Sequence, residues 1–102
     1  MLDIHVIRTE TERVKAAVAR KKFAVDIDEL LSVDEARRAL AGQIDALRAK
    51  RNDVSASIPK LDGQAKQDAI AQGRDLRQEI GALEDTQRAT EERFDGLMML
   101  VP

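Results

Sequence analysis

The sequence predicts an all-α fold: a long antiparallel two-helix coiled-coil hairpin with a short N-terminal helix packed at its base. Two stretches, roughly residues 33–61 and 69–101, carry apolar residues at alternating spacings of four and three. A repeat averaging about 3.5 residues keeps one apolar edge of each helix against its partner. Pro59 and Gly63 interrupt the pattern between the two stretches, which indicates a chain reversal. Because a two-helix arm has almost no interior, we expect its function on its surface.

The apolar edge of each predicted helix forms a seam. In the first helix the seam comprises Val33, Arg37, Leu40, Ile44, Leu47, Arg51, Val54, Ile58 and Leu61. In the second it comprises Ala69, Gly73, Leu76, Ile80, Leu83, Gln87, Thr90, Phe94, Leu97 and Val101. A reversal near residue 65 pairs Leu47 with Leu83, Val54 with Leu76, Leu40 with Thr90 and Val33 with Leu97. Arg51 then lies opposite Glu79, which predicts an ion pair across the seam; alternatively, Arg51 turns outward to a phosphate.

The predicted single domain, residues 1–102, has four parts. These are base helices at 1–31, a first arm helix at 32–61, a tip turn at 62–66 and a second arm helix at 67–101. Side chains that can accept hydrogen bonds at a helix start are Thr9 with Glu12, Asp26 with Glu29, and Ser32 with Glu35. The first base helix should run from about Glu10 to Lys21, with Val14, Ala17 and Val18 on its apolar face and Ile4 and Ile7 packed beside it. Phe23 and Ala24 should lead into a helical turn at Ile27 to Leu31, and Ser32 should restart the chain as the arm.

Composition excludes several function classes. The chain has no cysteine and one histidine, His5, so it offers no thiolate metal site, no Cys–His pair and no convincing Ser–His–Asp arrangement. Acidic pairs such as Glu91 and Glu92 are expected to be solvated, and no catalytic or metal residues are predicted. The longest apolar run, Leu97 to Val101, is far shorter than the roughly 20 residues of a membrane helix. We expect a cytoplasmic protein with no membrane partner.

Charge is distributed unevenly, although the net charge is only −2. The segment from Arg48 to Arg77, around the predicted tip, contains seven Lys and Arg residues and four Asp residues. Toward the C-terminus acidic residues outnumber basic ones. The distal arm is therefore mildly basic, and its base is acidic enough to disfavour phosphate there.

Several segments, in order, resemble the N-terminal domain of bacterial seryl-tRNA synthetases. They are Met1-Leu2-Asp3-Ile4 with Ile7-Arg8, Val25 to Leu31, Asp34 to Arg38, Leu47 to Asn52 with Ser55, Ile58-Pro59-Lys60, Ile70 to Gly73 and Leu97 to Pro102. The resemblance covers essentially the whole chain. It implies a helical arm that grips the long variable arm and elbow of tRNA(Ser), so that a separate catalytic domain of the same polypeptide can attach serine.

The resemblance also implies a homodimeric class II parent enzyme that uses ATP and Mg. This chain has no counterpart of the catalytic domain, so we expect no aminoacylation and no cofactor in the fragment itself. The apolar run at Leu97 to Val101 is expected to be covered by neighbouring protein.

Double-stranded RNA is recognised largely through its shape, phosphates and 2′-hydroxyls, which suits Lys, Arg, Asn and Ser on a helical arm. The candidate RNA contacts are Arg48, Lys50, Asn52, Ser55, Lys60, Lys66, Arg74 and Arg77. The alternative for each is a solvated side chain on an exposed helix face. The alternative function is a coiled-coil adaptor that docks partner helices.

Overall fold

The computed structural model describes residues 2–21 and 25–101, so Phe23 and Ala24 lie outside the described residues. Four α-helices follow along the chain: α1 (Ile4–Thr9), α2 (Thr11–Lys21), α3 (Ile27–Ser57) and α4 (Gly63–Met98), with a 3-10 helix at Ile58–Lys60 between the last two. Within these described ranges no residue lies in a β-strand. The predicted all-α class is confirmed, with helices of 31 and 36 residues as its main elements.

The start of α3 differs from the prediction. Helix α3 begins at Ile27 and continues through Ser32, so the predicted restart at Ser32 is wrong. Asp26 starts the helix, because its Oδ1 accepts the Glu29 N–H at 3.2 Å and its carbonyl accepts the Leu30 N–H at 3.0 Å. No proline or glycine interrupts the next residues, so the first start signal is sufficient and the second falls inside a helix already formed.

The N-terminal segment also begins differently. The chain is already helical at Ile4, where the Asp3 side chain accepts the His5 N–H at 2.9 Å, and α1 ends before Glu10. The predicted cap at Thr9 is wrong, since the Thr9 hydroxyl donates to the His5 carbonyl at 2.9 Å. Polar hydroxyls often satisfy a carbonyl of the preceding helical turn in this way.

The turn between the long helices lies earlier in the chain than predicted, at residues 58–62. Helix α3 ends at Ser57, and Pro59 lies in the following 3-10 helix, as expected for a residue that lacks a backbone N–H. Gly63 has φ 58°, a conformation that favours glycine, and α4 begins there. The predicted bounds of 32–61, 62–66 and 67–101 are therefore corrected to the helical ranges given above.

The described residues form two compact units. The first contains the described parts of residues 1–38 and 88–102, and the second contains Ala39–Gln87. The buried apolar residues of the first unit are Ile7, Val14, Val18, Ile27, Leu30, Val33, Phe94 and Val101. Each such burial contributes about 1.5–3 kcal/mol. The predicted apolar positions Val14, Val18 and Ile7 are confirmed, and Leu97 packs against the core that contains Val33.

A buried carboxylate joins α1 to α3 in this first unit. Arg8 donates to both oxygens of Asp34, through Nε to Oδ2 at 2.6 Å and through Nη2 to Oδ1 at 2.8 Å. Arg37 donates from Nε to Oδ1 at 3.1 Å, and its guanidinium carbon lies 4.0 Å from the centroid of the Phe94 ring. These contacts explain how an arginine occupies a seam position.

The second unit is built from the seam of α3 and α4. Ile44, Leu76 and Ile80 are buried. Leu47 and Leu83 line one shallow depression, as the predicted register requires. The seam pattern is therefore confirmed within this unit. The two packed segments are antiparallel, because Leu47 lies near Leu83 and Val54 lies near Gly73.

Arg51 is half-buried at its seam position in the same unit. Its Nη2 donates to Oδ1 of the neighbouring Asn52 at 3.3 Å. Between the described side chains of Arg51 and Glu79 no ion pair forms, so the predicted cross-seam pair is wrong. An Arg side chain is long enough to leave the seam edge and bond within its own helix.

Candidate nucleic-acid interface

All the candidate contact residues lie in the second unit, and all are exposed. They are Arg48, Lys50, Asn52, Ser55, Lys60, Lys66, Arg74 and Arg77. Seven lie on the two long helices, and Lys60 lies in the 3-10 helix that joins them. The helical positions can be sorted by the side of the seam on which they lie.

Three of the candidates share one side of α3. Arg48, Asn52 and Ser55 are spaced by four and three residues, so they form a row beside the seam. Lys66, Ile70, Arg74 and Arg77 form a similar row on α4, with spacings of four, four and three. Ile70 is one of the exposed large hydrophobic residues of the described chain, at 44%.

One cross-helix contact relates these two rows. Arg48 Nη2 on α3 lies 3.7 Å from Glu84 Oε1 on α4. In antiparallel helices, moving seven residues forward along one and seven back along the other leads to the next facing pair. That step leads from Arg48 and Glu84 to Ser55 and Arg77. The rows therefore lie on the same side of this unit, and we call Arg48, Asn52, Ser55, Lys66, Arg74 and Arg77 the basic flank.

Lys50 lies on the opposite side of the seam. Gln43, Leu47, Glu79 and Leu83 line the shallow depression there, and Lys50 follows Gln43 by seven residues, so it shares that side. The other charged residues of this side are acidic and are Asp53, Asp68, Asp75 and Glu79. We call these four residues with Lys50 the acidic flank. The structure thus separates Lys50 from the other candidates.

Some cations of the basic flank already contact carboxylates. Besides Glu84, the Arg48 guanidinium lies 3.9 Å from Asp45. Arg74 Nε lies 3.9 Å from its sequence neighbour Asp75, so the two flanks meet there on the outer side of α4. The paired side chains are between 41% and 78% exposed. Exposed ion pairs of this kind contribute only about 0.2–1 kcal/mol, so a phosphate can replace any of these three carboxylates at small cost.

The sequence prediction missed two features. It did not divide the candidates between two flanks, although a heptad assignment of the positions beside the seam could have done so. It also missed the arginine cluster around Asp34. The available signal was Arg37, an arginine at a seam position three residues after that aspartate. Burial would raise the pKa of the Asp34 carboxyl, but the hydrogen bond from Arg8 and the charges of Arg8, Arg38 and Arg37 lower it overall.

In the described ranges, 2–21 and 25–101, no group of three or more His, Cys, Asp or Glu side chains is arranged to hold a metal ion. None of the helices in the same ranges is both long and apolar enough to cross a membrane.

Comparison with known proteins gives one consistent result. The family model described as the seryl-tRNA synthetase N-terminal domain matches residues 1–102. A serine–tRNA ligase of Dehalococcoides mccartyi is 38% identical over the whole chain, which covers 23% of that protein. Serine–tRNA ligases of Deinococcus radiodurans and Thermodesulfovibrio yellowstonii are each 32% identical over the whole chain, which covers 24% and 25% of them.

The chain spans about a quarter of the length of these curated relatives. Both the family model and these relatives match the chain from its first residue to its last. On this evidence the chain belongs to the seryl-tRNA synthetase N-terminal domain family.

Proposed function

We propose that this chain is a tRNA-binding arm and that the basic flank is its RNA-contacting surface. The observation that carries the proposal is the division of charge between the two sides of one helix pair. Arg48, Lys66, Arg74 and Arg77 lie on one side with the two carboxylates that contact Arg48, whereas the other holds four carboxylates and only Lys50. An RNA backbone is attracted to the first surface and repelled by the second.

The chemistry of the basic flank suits a folded RNA better than a single strand. Arg and Lys bind phosphates, and the exposed Asn52 and Ser55 can hydrogen-bond to phosphates or 2′-hydroxyls. The flank has no aromatic side chain on which an unpaired base could stack. Ile70, between Lys66 and Arg74, offers an apolar contact for a ribose or a base edge.

The names of the relatives extend the proposal to a specific partner. We infer that the RNA is tRNA(Ser), held by its long variable arm and elbow, and that a catalytic domain of the same polypeptide attaches serine. In that parent enzyme, a cytoplasmic homodimer, ATP and Mg would act at the catalytic domain. This chain's own residues would bind and orient the tRNA.

The test is a gel-shift titration of the 102-residue chain with two tRNAs, one with a long variable arm and one with a short one, at about 50 and 200 mM salt. We expect tighter binding of the long-armed tRNA and an affinity that falls steeply with salt. A coiled-coil adaptor, the alternative function, would show neither the preference nor the salt dependence, and that result would reject the proposal.

A further inference from the structure

Arg51 carries a charge at a seam position where the repeat predicts an apolar side chain. The other seam arginine of α3, Arg37, has partners within the fold. It contacts the carboxylates of Asp34 and Glu91 and lies over the Phe94 ring. In the part of the chain that the structure describes, no carboxylate lies within ion-pair distance of Arg51. Internal contacts therefore explain the arginine at position 37, whereas the arginine at position 51 has no such explanation.

The seam would be more stable with an apolar residue in place of Arg51. Its side chain is half-buried, so its charge loses part of its hydration without gaining an ion pair. Leucine at this position would continue the apolar edge that Leu47 and Val54 form on either side. A residue that lowers stability without an internal compensation is expected where the molecule uses it for binding.

A hydrogen bond shows on which side of the seam the Arg51 guanidinium lies. Its Nη2 donates to Oδ1 of Asn52 at 3.3 Å, and Asn52 belongs to the basic flank. The guanidinium therefore leaves the seam on the side that carries Arg48 and Arg77, and not on the side that carries Lys50. Arg51 thus adds a further positive charge to the basic flank.

The same hydrogen bond sets the orientation of the Asn52 amide. A guanidinium only donates hydrogen bonds, so Asn52 turns its oxygen toward Arg51 and its NH2 group elsewhere. Asn52 is exposed, and its two N–H donors are available to an acceptor from solvent. Arg51 and Asn52 together therefore present donors, the arrangement that suits the oxygens of a phosphodiester.

We propose that Arg51, held by Asn52, is a further phosphodiester contact of the basic flank. This inference rests on the proposed tRNA-binding function and adds to it a residue that lies at a seam position. Because Arg51 is half-buried and bonded to its neighbour, it loses less conformational freedom on binding than a fully exposed arginine. The stability lost at the seam places a fixed cation on the RNA-binding side.

The test compares tRNA affinity with stability in two matched seam variants. Arg51→Leu should raise the midpoint of urea denaturation, because it completes the apolar seam, and should weaken binding of a long-armed tRNA about tenfold. Gel shifts at about 50 and 200 mM salt should also show a salt dependence lower by about one phosphate contact. The control is Gln87→Leu, since Gln87 is a half-buried polar seam residue of α4. It should raise the midpoint similarly and leave both tRNA quantities unchanged.

A double-mutant cycle tests whether Asn52 positions Arg51. Asn52→Ala removes both the acceptor of the Arg51 hydrogen bond and the amide donors. If the pair binds one phosphate, the affinity loss in the double variant Arg51→Leu with Asn52→Ala is smaller than the product of the two single losses. Losses that multiply would overturn the positioning of Arg51 by Asn52.

Equal tRNA affinity in the parent chain and in Arg51→Leu would overturn the inference alone, and a loss in Arg77→Glu would show that the basic flank still binds. An equal loss in Gln87→Leu would also overturn it, because seam packing would then account for the effect. A parent chain that does not bind tRNA would overturn both this inference and the proposed function. If circular dichroism shows that Arg51→Leu does not fold, Arg51→Gln makes the same comparison of affinities, because glutamine already occupies a seam position at residue 87.

Discussion

Arg8 on α1 and Asp34 on α3 form a bidentate ion pair 26 residues apart in sequence, with nitrogen–oxygen distances of 2.6 and 2.8 Å. Asp34 is fully buried, and Arg37 and Arg38 share its oxygens. The pair adds a polar link between the short N-terminal helix and the first long helix, which Ile7 and Leu30 also join through the apolar core. A buried carboxylate is tolerated there only because these donors satisfy it.

Removing that carboxylate charge should therefore destabilise the fold. Asp34→Asn replaces the shared carboxylate with a neutral amide that keeps only one acceptor oxygen and turns an NH2 group toward the arginines. We expect a loss of roughly 3 kcal/mol in the free energy of unfolding, measured by urea denaturation. Asp45→Asn is the matched control, because Asp45 is 78% exposed and contacts Arg48 only at 3.9 Å. Its effect should stay within about 0.5 kcal/mol. Similar losses in both variants would contradict a special role for Asp34.

The same group should make stability depend on acidity. The folded-state pKa of Asp34 is lowered overall, with the donors and charges of Arg8, Arg38 and Arg37 outweighing the effect of burial. Its contribution is therefore present above the unfolded-state pKa of about 3.9 and is lost as the pH falls through the folded-state value. We expect the gap in unfolding free energy between the parent chain and Asp34→Asn to be constant from pH 7 to about 5 and to shrink below about pH 4. A gap that does not change down to pH 2 would disprove this linkage.

The start of α3 can be tested with two small substitutions. Asp26→Ala removes the acceptor of the Glu29 N–H and should cost about 1 kcal/mol of unfolding free energy. Ser32→Ala replaces an exposed residue inside the helix and should stabilise the chain by up to about 0.5 kcal/mol, because alanine has the higher helix propensity. Thermal unfolding followed by circular dichroism distinguishes the two. A larger loss in Ser32→Ala would instead favour a helix start at Ser32.

Two glycines of the second unit should respond in opposite ways to alanine. At Gly73 an added Cβ would lie 3.8 Å from Val54 Cγ1, which is an ordinary contact distance, so Gly73→Ala should stabilise the helix by about 0.5–1 kcal/mol. Gly63→Ala should be destabilising, because φ there is 58° and an alanine pays about 1–2 kcal/mol for that conformation. Urea denaturation measures both. A destabilised Gly73→Ala variant would mean that the helices pack more closely than the structure shows.

The two flanks can be compared by the same charge reversal on each. Arg77→Glu should weaken tRNA binding by at least about tenfold and reduce the salt dependence by about one phosphate contact. Lys50→Glu makes the identical change in net charge on the acidic flank and should alter the affinity less than about twofold. Salt-dependent gel shifts give both quantities. Equal losses in the two variants would indicate that net charge alone, and not one surface, governs binding.

The sequence by itself determined the helical class, the seam and the reversal near Pro59. These features depend only on neighbouring residues. A 3.5-residue apolar repeat, a proline that lacks a backbone N–H and a glycine that can adopt positive φ each constrain the backbone next to them. Every seam position from Leu40 to Gln87 is at least half-buried, as the pattern predicts. The candidate cations were also found from sequence, because charge density near the reversal needs no coordinates.

Tertiary structure decided what depends on a second segment of chain. The continuation of α3 back to Ile27 places Ile27 and Leu30 in the same buried core as Val33. The partner of Arg51 follows from side-chain reach, which spacing does not specify. The meetings of Arg8 with Asp34 and of Arg48 with Glu84 arise because packing brings together residues that are distant in sequence. Local patterns fix backbone conformation, but only the packed helices determine which charges from distant parts of the sequence meet.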